Sequence, residues 1–199
     1  MKSRSVDTKT NAQIGARDAI SSDGRVRTMT KIALMAAVLC ILGPLSIPIG
    51  QVPISLTTLA IYFGVYLLGA KKGTVSVLIY ILLGLVGLPV FSGFSGGPAK
   101  LFGVTGGYIF GYLFLAAISG CFVEFFEKNY LLQFAGMVLG TAVLYLFGTV
   151  WFLFLTKSTV VYAIGACVLP FLPGDLAKII LALIAGPMIR RRLIAAGLY

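Results

Sequence analysis

The chain has 199 residues, 59% of them hydrophobic and 11% charged, with a mean hydropathy of +1.01 and a formal net charge of +10. That apolar share exceeds the roughly 45–50% of soluble domains, and runs of about 18 or more almost uncharged residues recur, which marks a polytopic membrane bundle. The chain contains no histidine, which excludes His-based triads, HExxH zinc sites and imidazole relays, and with them most enzyme classes. The cations sit mainly in the N-terminal tail and at segment ends, a pattern of membrane topology and not of a nucleic-acid surface.

In chain order, residues 1–28 are polar and lack hydrophobic periodicity, so they read as a flexible cytoplasmic tail. They hold no short apolar stretch with a small-residue cleavage site, and the apolar run from Ile32 is expected to be a retained membrane helix and not a signal peptide. Glycine, proline and charge then divide residues 29–192, the membrane domain, into six spans near 32–49, 54–70, 73–90, 103–123, 131–156 and 160–189. Residues 193–199 form a short C-terminal tail. Pro44 and Pro48 are expected to end the first helix early, and Pro170 and Pro173 to detach the start of the sixth span as a short helix or kink.

With the N-terminus inside, the cytoplasmic segments carry Arg17, Arg25, Arg27 and Lys31, then Lys71 and Lys72, then Lys128, then Arg190, Arg191 and Arg192; the outer side carries only Lys100 and Lys157. The expected fold is therefore an all-α membrane protein, a bundle of six transmembrane helices with both termini cytoplasmic. Three irregular segments fall on the outer side: 43–53, 89–103 and the turn before "LPGD". Irregular backbone at membrane depth is tolerated only where protein buries it or a wet cavity meets it, so the three together predict a ligand pocket at the extracellular side.

Several features have plain structural readings. Cys40, Cys121 and Cys167 match no zinc or CxxC spacing and read as small buried apolar residues, so no metal site is expected. Gly103, Gly107 and Gly111 form a GxxxGxxxG row suited to close helix approach. Gly96 and Gly97 flank a loop and could bring backbone groups to a ligand. "GVYLLGAKKGT" (64–74) is the nearest approach to a phosphate-binding loop, but Ala70 stands at the lysine position, so ATP binding by this chain is not expected. Phe91, Phe94 and Tyr108 fit either an interfacial aromatic belt or a pocket lining.

Asp175 and Lys178 are the sharpest signal. No other acidic residue follows Glu127, yet this carboxylate and ammonium lie three residues apart in an apolar run, on one helix face. Counting back from Arg190 places them roughly 22 and 18 Å from the inner boundary, in the outer half of the membrane. Charges at that depth are costly and usually functional. The alternative is that Asp175 caps a helix beginning after Pro173–Gly174 while Lys178 neutralises it.

Taken together, "SIPIGQVPISLTTLAIYFGVYLLGAKKGTVSVLIYILLGLVGLPVFSGFSGGPAKLFGVTGGYIFGY" and "LPGDLAKIILA" resemble the BioY biotin transporters, the substrate-binding S components of energy-coupling factor (ECF) transporters. The resemblance runs from about Thr30 to Arg190, with "GLPVF", "TGGY" and "PGDxxK" its most specific parts; Val104 departs from an expected proline. It implies biotin as the transported ligand, with no cofactor and no hydrolysis by this chain, in a bacterial plasma membrane. It implies as partners a transmembrane coupling protein and two ABC-type ATPase subunits, with Ala33 and Ala37 matching the small-residue face that meets the coupling protein. It implies a substrate-binding set of Asp175, Lys178, Phe91, Gly96, Gly97, Thr105 and Tyr108. Biotin's ureido ring has two N–H donors and one acceptor, suiting an acceptor-only carboxylate and a donor-only ammonium. Lys178 fits either the ureido oxygen or the valerate carboxylate. A stand-alone ion-coupled or facilitative vitamin carrier is the alternative function, although the spans hold one acidic residue and show no inverted repeat; a membrane enzyme or scaffold ranks below it.

Overall fold

The computed structural model describes residues 24–47 and 52–197. Within them, residues 24–42 form helix α1, Ser46–Ile47 and Ile54–Ser55 form the strands β1 and β2, and six further helices follow: α2 (Thr57–Leu85), α3 (Pro98–Leu101), α4 (Gly106–Phe125), α5 (Tyr130–Thr156), α6 (Val160–Cys167) and α7 (Leu172–Ala195). The fold is helical, and α2, α4, α5 and α7 are each long and apolar enough to cross a membrane. An apolar run in lipid has little choice, because only a helix satisfies all of its own backbone groups.

The element α2 is two legs joined at Gly69, where φ is 79° and ψ is −178°. Side-chain-bearing residues rarely adopt that conformation, and a Cβ at Gly69 would overlap Glu124 Oε1. The chain doubles back there, bringing Tyr80 of the second leg beside Thr57 of the first and Gly73 against Val65. These legs correspond to the predicted segments 54–70 and 73–90. The segment predicted at 160–189 divides as its prolines suggest: α6 is a separate eight-residue helix, and α7 begins at Leu172 with Pro173 in its first turn. Helical geometry extends past the predicted limits at both ends, covering 24–28 and reaching Ala195.

The irregular segment at 43–53 differs from expectation in carrying a short antiparallel ladder, Ser46 opposite Ser55 and Ile47 opposite Ile54. Helix α1 stops one residue before Gly43–Pro44, as expected, whereas Pro48 lies outside the described residues. The segment 89–103 is an ordered turn. Phe91 and Ser95 exchange backbone hydrogen bonds, Gly97 N–H donates to Gly84 O at 2.7 Å, and Gly93 N–H donates to Pro44 O at 3.1 Å.

Helices α4 and α5 pack through small residues. A Cβ at Gly107 would overlap Trp151, and one at Gly111 would come within 2.6 Å of Leu144 Cδ1. The facing helix answers with Gly136, Gly140 and Gly148, which meet Phe122, Leu115 and Tyr108. Gly103 lies outside the helix, and its carbonyl accepts a hydrogen bond from Trp151 Nε1 at 3.0 Å. Small residues of this kind let backbones approach so that dispersion and interhelical hydrogen bonds, and not water expulsion, hold the bundle together.

Gly120 is the tightest backbone contact between α2 and α4: its Cβ would stand 2.5 Å from Ala70 Cα, which cannot swing aside like a side-chain tip. Gly120→Val is expected to destabilise the bundle by about 1–3 kcal/mol through overpacking. Gly165→Ala, in α6 with open space around the glycine, is the control. Thermal unfolding in detergent, followed by helical circular dichroism, checks the pair; equal melting temperatures would contradict the close packing.

Candidate functional site

Asp175 lies in the first turn of α7, where its N–H already donates to Phe171 O at 2.8 Å. The N-cap position belongs to Phe171, so the carboxylate is not the helix cap. It faces the bundle instead and is almost completely buried. Oδ2 accepts a hydrogen bond from Tyr145 Oη of α5 at 2.5 Å. Oδ1 accepts from Lys178 Nζ at 2.9 Å and from Thr58 Oγ1 of α2 at 3.3 Å. Lys178 Nζ also donates to Ser55 O at 2.7 Å and to Thr58 Oγ1 at 3.1 Å. An ammonium has three donors, and these three acceptors match them. The pair therefore sits in a polar cluster contributed by β2, α2, α5 and α7.

A cavity of about 40 Å³ opens onto this cluster, lined also by Tyr108, Tyr112 and Phe171. A second, of about 20 Å³, lies beside it and is lined by Phe91, Lys100 and Thr105 among others. Val52, Pro53, Tyr108 and Tyr112 belong to both walls. Sharing these walls, the two cavities adjoin as one slot, with the Asp175–Lys178 ion pair in the lining of one part and Lys100 in the lining of the other. A two-ring ligand fits only if these shared side chains move apart.

The residues singled out in the sequence are distributed along this slot. Asp175, Lys178 and Tyr108 line the first cavity, and Phe91, Thr105 and Tyr108 line the second. Phe91 is held by Gly84, where a Cβ would overlap its ring, and by an edge contact with Tyr80 at a centroid distance of 5.6 Å. Phe91 and Tyr108 are buried and Phe94 is exposed, so only Phe94 keeps the position of a belt aromatic. Thr105 Oγ1 is buried without a hydrogen-bond partner, so a ligand oxygen or N–H beside it would gain a bond at little cost.

Gly96 and Gly97 line neither cavity. They shape the loop behind it: Gly96 packs against Leu88 O, and Gly97 carries a φ of 87° while its N–H is bonded to Gly84 O. Ala33 and Ala37 are both exposed on α1, away from the slot. Sequence reading missed Thr58, Ser55, Tyr145 and Lys100. Hydroxyls and tyrosines are common at helix interfaces, and nothing local ties Tyr145 to a residue 30 positions away, or Thr58 and Ser55 to residues more than a hundred away; Lys100 resembles any cation of an outer loop.

The sequence model of the BioY family matches residues 9–195. The chain is 34% identical to the biotin transporter BioY2 of Lactococcus lactis subsp. cremoris, over 85% of this chain and 93% of that one. It is 35% identical to the biotin transporter BioY of Thermotoga maritima, over 79% of this chain and 92% of that one. The crystal structure of the S-component for biotin from an ECF-type ABC transporter superposes with a TM-score of 0.78 at 34% identity, covering 85% of this chain and 93% of that chain. With the family model spanning nearly the whole chain and relatives matched over most of their length, the chain belongs to the BioY family.

Proposed function

We propose that this multi-pass membrane protein binds biotin in the slot between Asp175 and Lys100 and carries it across the bacterial plasma membrane. It is the substrate-specific S component of an ECF-type importer, a transporter subunit and not an enzyme, and biotin is its cargo, not a cofactor. The observation that carries the site is the buried Asp175–Lys178 pair facing a cavity in a membrane helix. Its carboxylate accepts a ureido N–H and its ammonium donates to the ureido oxygen. Phe91, Tyr108 and Tyr112 flank the apolar bicycle. The valerate carboxylate then reaches Lys100 and the partnerless hydroxyl of Thr105. Lys178 is the less suited of the two cations for that tail, because Asp175 at 2.9 Å would repel a second carboxylate; to reach the ureido oxygen its ammonium exchanges one of its bonds to Ser55 or Thr58. Gly96 and Gly97 belong to the site through the loop they shape.

The division of charges supports six spans with both termini cytoplasmic and the slot opening outward. Residues α1, the two legs of α2, α4, α5 and α7 supply the six. Lys71, Lys72, Glu127 and Arg190 gather at one end, with Arg190 bonded to Glu127 at 2.8 Å, while Lys100 and the Asp175 cluster lie toward the other. Cysteines introduced one at a time into a cysteine-free background test this. One beside Lys157 should react with an impermeant thiol reagent on intact cells and one beside Arg191 should not; the reverse pattern would invert the topology.

Calorimetry with purified, folded variants tests the ligand roles. Hydrogen bonds to charged groups contribute roughly 1.5–3 kcal/mol, so Asp175→Asn is expected to weaken biotin binding by about one to two orders of magnitude. Lys178→Met should lower affinity equally for biotin and for biotin amidated at its carboxyl group. Lys100→Gln should lower it for biotin alone. Near-native affinity in Asp175→Asn would remove the ligand role of that carboxylate, and an effect of Lys178→Met confined to biotin would move Lys178 to the tail.

Transport is energised by partners, a transmembrane coupling protein and two ABC-type ATPase subunits, that meet the exposed face of α1. Ala33→Trp and Ala37→Trp should leave biotin binding to the isolated chain unchanged while assembly with the energising module and uptake fall several-fold. Loss of biotin binding with intact assembly would make these alanines internal packing residues. Uptake that survives ATP depletion but collapses with the ion gradient would favour the stand-alone carrier.

A further inference from the structure

Roughly 22 Å along α7 from Asp175, the bundle carries a second set of charges that biotin capture does not use. A cavity of about 310 Å³ opens between the α2 turn, α4 and α7, and its charged lining is Lys71, Lys72, Arg190 and Glu124. Glu124 is the one carboxylate in that lining, and its Oε1 accepts the Ala70 N–H at 3.0 Å. Arg190 is paired with Glu127 at 2.8 Å, so Lys71 and Lys72 against Glu124 still leave the cavity net positive.

Leu68 lines this cavity and also an apolar groove of about 430 Å³ along α1, α2 and the end of α7. The body of the groove is Leu34, Met35, Val38, Leu67 and Leu193, and its charged rim is Arg27 and Lys31. Arg27 donates to the Gly197 carbonyl, which joins the start of α1 to the end of α7 and closes the rim. Arg27 and Lys72 both stand near the Lys31 ammonium. Like charges are therefore crowded where cavity and groove meet, an arrangement that a bound anion relieves.

We propose that the cavity and groove together form a binding site for one anionic phospholipid, its phosphate among Lys31, Lys71 and Lys72 and an acyl chain along Leu34, Val38 and Leu67. The shape selects an amphiphile: the charge lies at one end and the apolar length at the other. A free phosphate would leave the groove unused. Basic pockets between helices at a membrane boundary are suited to anionic headgroups, which the bilayer presents at high local concentration. This lipid site shares no lining residue with the biotin slot, and on α1 it adjoins the alanine face, Leu34 and Val38 following Ala33 and Ala37 by one residue.

Native mass spectrometry of the full chain in mild detergent, with phosphatidylglycerol or phosphatidylcholine of matched chain length, tests it. The wild-type chain should retain one phosphatidylglycerol and at least about tenfold less phosphatidylcholine. A membrane-surface lysine contributes about fivefold in binding, so Lys71→Gln with Lys72→Gln should cut phosphatidylglycerol retention about 25-fold. Val38→Trp, which fills the groove and leaves every cation in place, should lower retention as well and serves alone if the double variant does not fold. Equal retention of the two lipids, retention unaffected by Val38→Trp, or competition by millimolar inorganic phosphate would overturn the proposal. Biotin affinity should be unchanged in all variants, so its loss would bear on the transport reading and not on the lipid.

Discussion

An ammonium and a carboxylate inside a membrane bundle must neutralise and hydrogen-bond each other, and this requirement governs how α7 is held. Removing either member of such a pair leaves an uncompensated buried charge, which is strongly destabilising. Here further bonds come from other elements: Thr58 from α2, Tyr145 from α5 and the Ser55 carbonyl from β2. The consequence is large because α7 is the least enclosed of the four long helices, with 22% of its apolar window buried against 39–44% for the others. Its apolar contacts alone fix its rotation weakly. The polar cluster does so, since a turn of α7 that exposed Asp175 to lipid would break every bond at once.

That cluster is reachable only because the other helices stand close together. Glycines at the α4–α5 contact bring Tyr108 and Tyr145 to one wall, and the reversal at Gly69 returns the second leg of α2 so that Tyr80 and Phe91 form the next. Buried hydroxyls continue the pattern down the bundle. Tyr62 pairs with Thr141 at 2.6 Å and Tyr66 with Gln133 at 2.7 Å, each joining α2 to α5. Satisfied polar contacts of this kind select one relative position of two apolar helices that could otherwise slide. The site is thus a product of the same contacts that set the helix register.

The parts legible in the sequence were those with a local signature. Apolar length marked the long helices, prolines marked the separation of α6 from α7, and a carboxylate three residues from an ammonium marked the polar end of the slot. The capping alternative for Asp175 was equally local and could be resolved only by seeing that Phe171 takes the cap and that Tyr145 and Thr58 face the carboxylate. Gly96 and Gly97 read as ligand-facing because glycine permits close approach in general. The loop uses that permission for Leu88 and Gly84 instead. Thr58, Tyr145 and Lys100 had no signature at all, because their significance lies in contacts between elements far apart in the chain.

The separation of the two polar ends accounts for how such a slot discriminates on the proposed reading. An ion pair with no net charge attracts neither anions nor cations strongly, but it offers an acceptor beside a donor at fixed geometry, which suits a neutral group that carries N–H next to C=O. A carboxylate placed there would be repelled by Asp175 as strongly as Lys178 attracted it. The single anionic group of biotin is therefore best held elsewhere, by the separate cation Lys100 in the neighbouring cavity. A ligand with the ring but a short tail reaches one end only, and a fatty acid with the carboxylate but no ring leaves the ion pair facing hydrocarbon. Buried polar groups left unpaired by the wrong ligand penalise it more than an extra methylene ever could. Selectivity then follows from the separation of Asp175 and Lys100, which line neighbouring cavities.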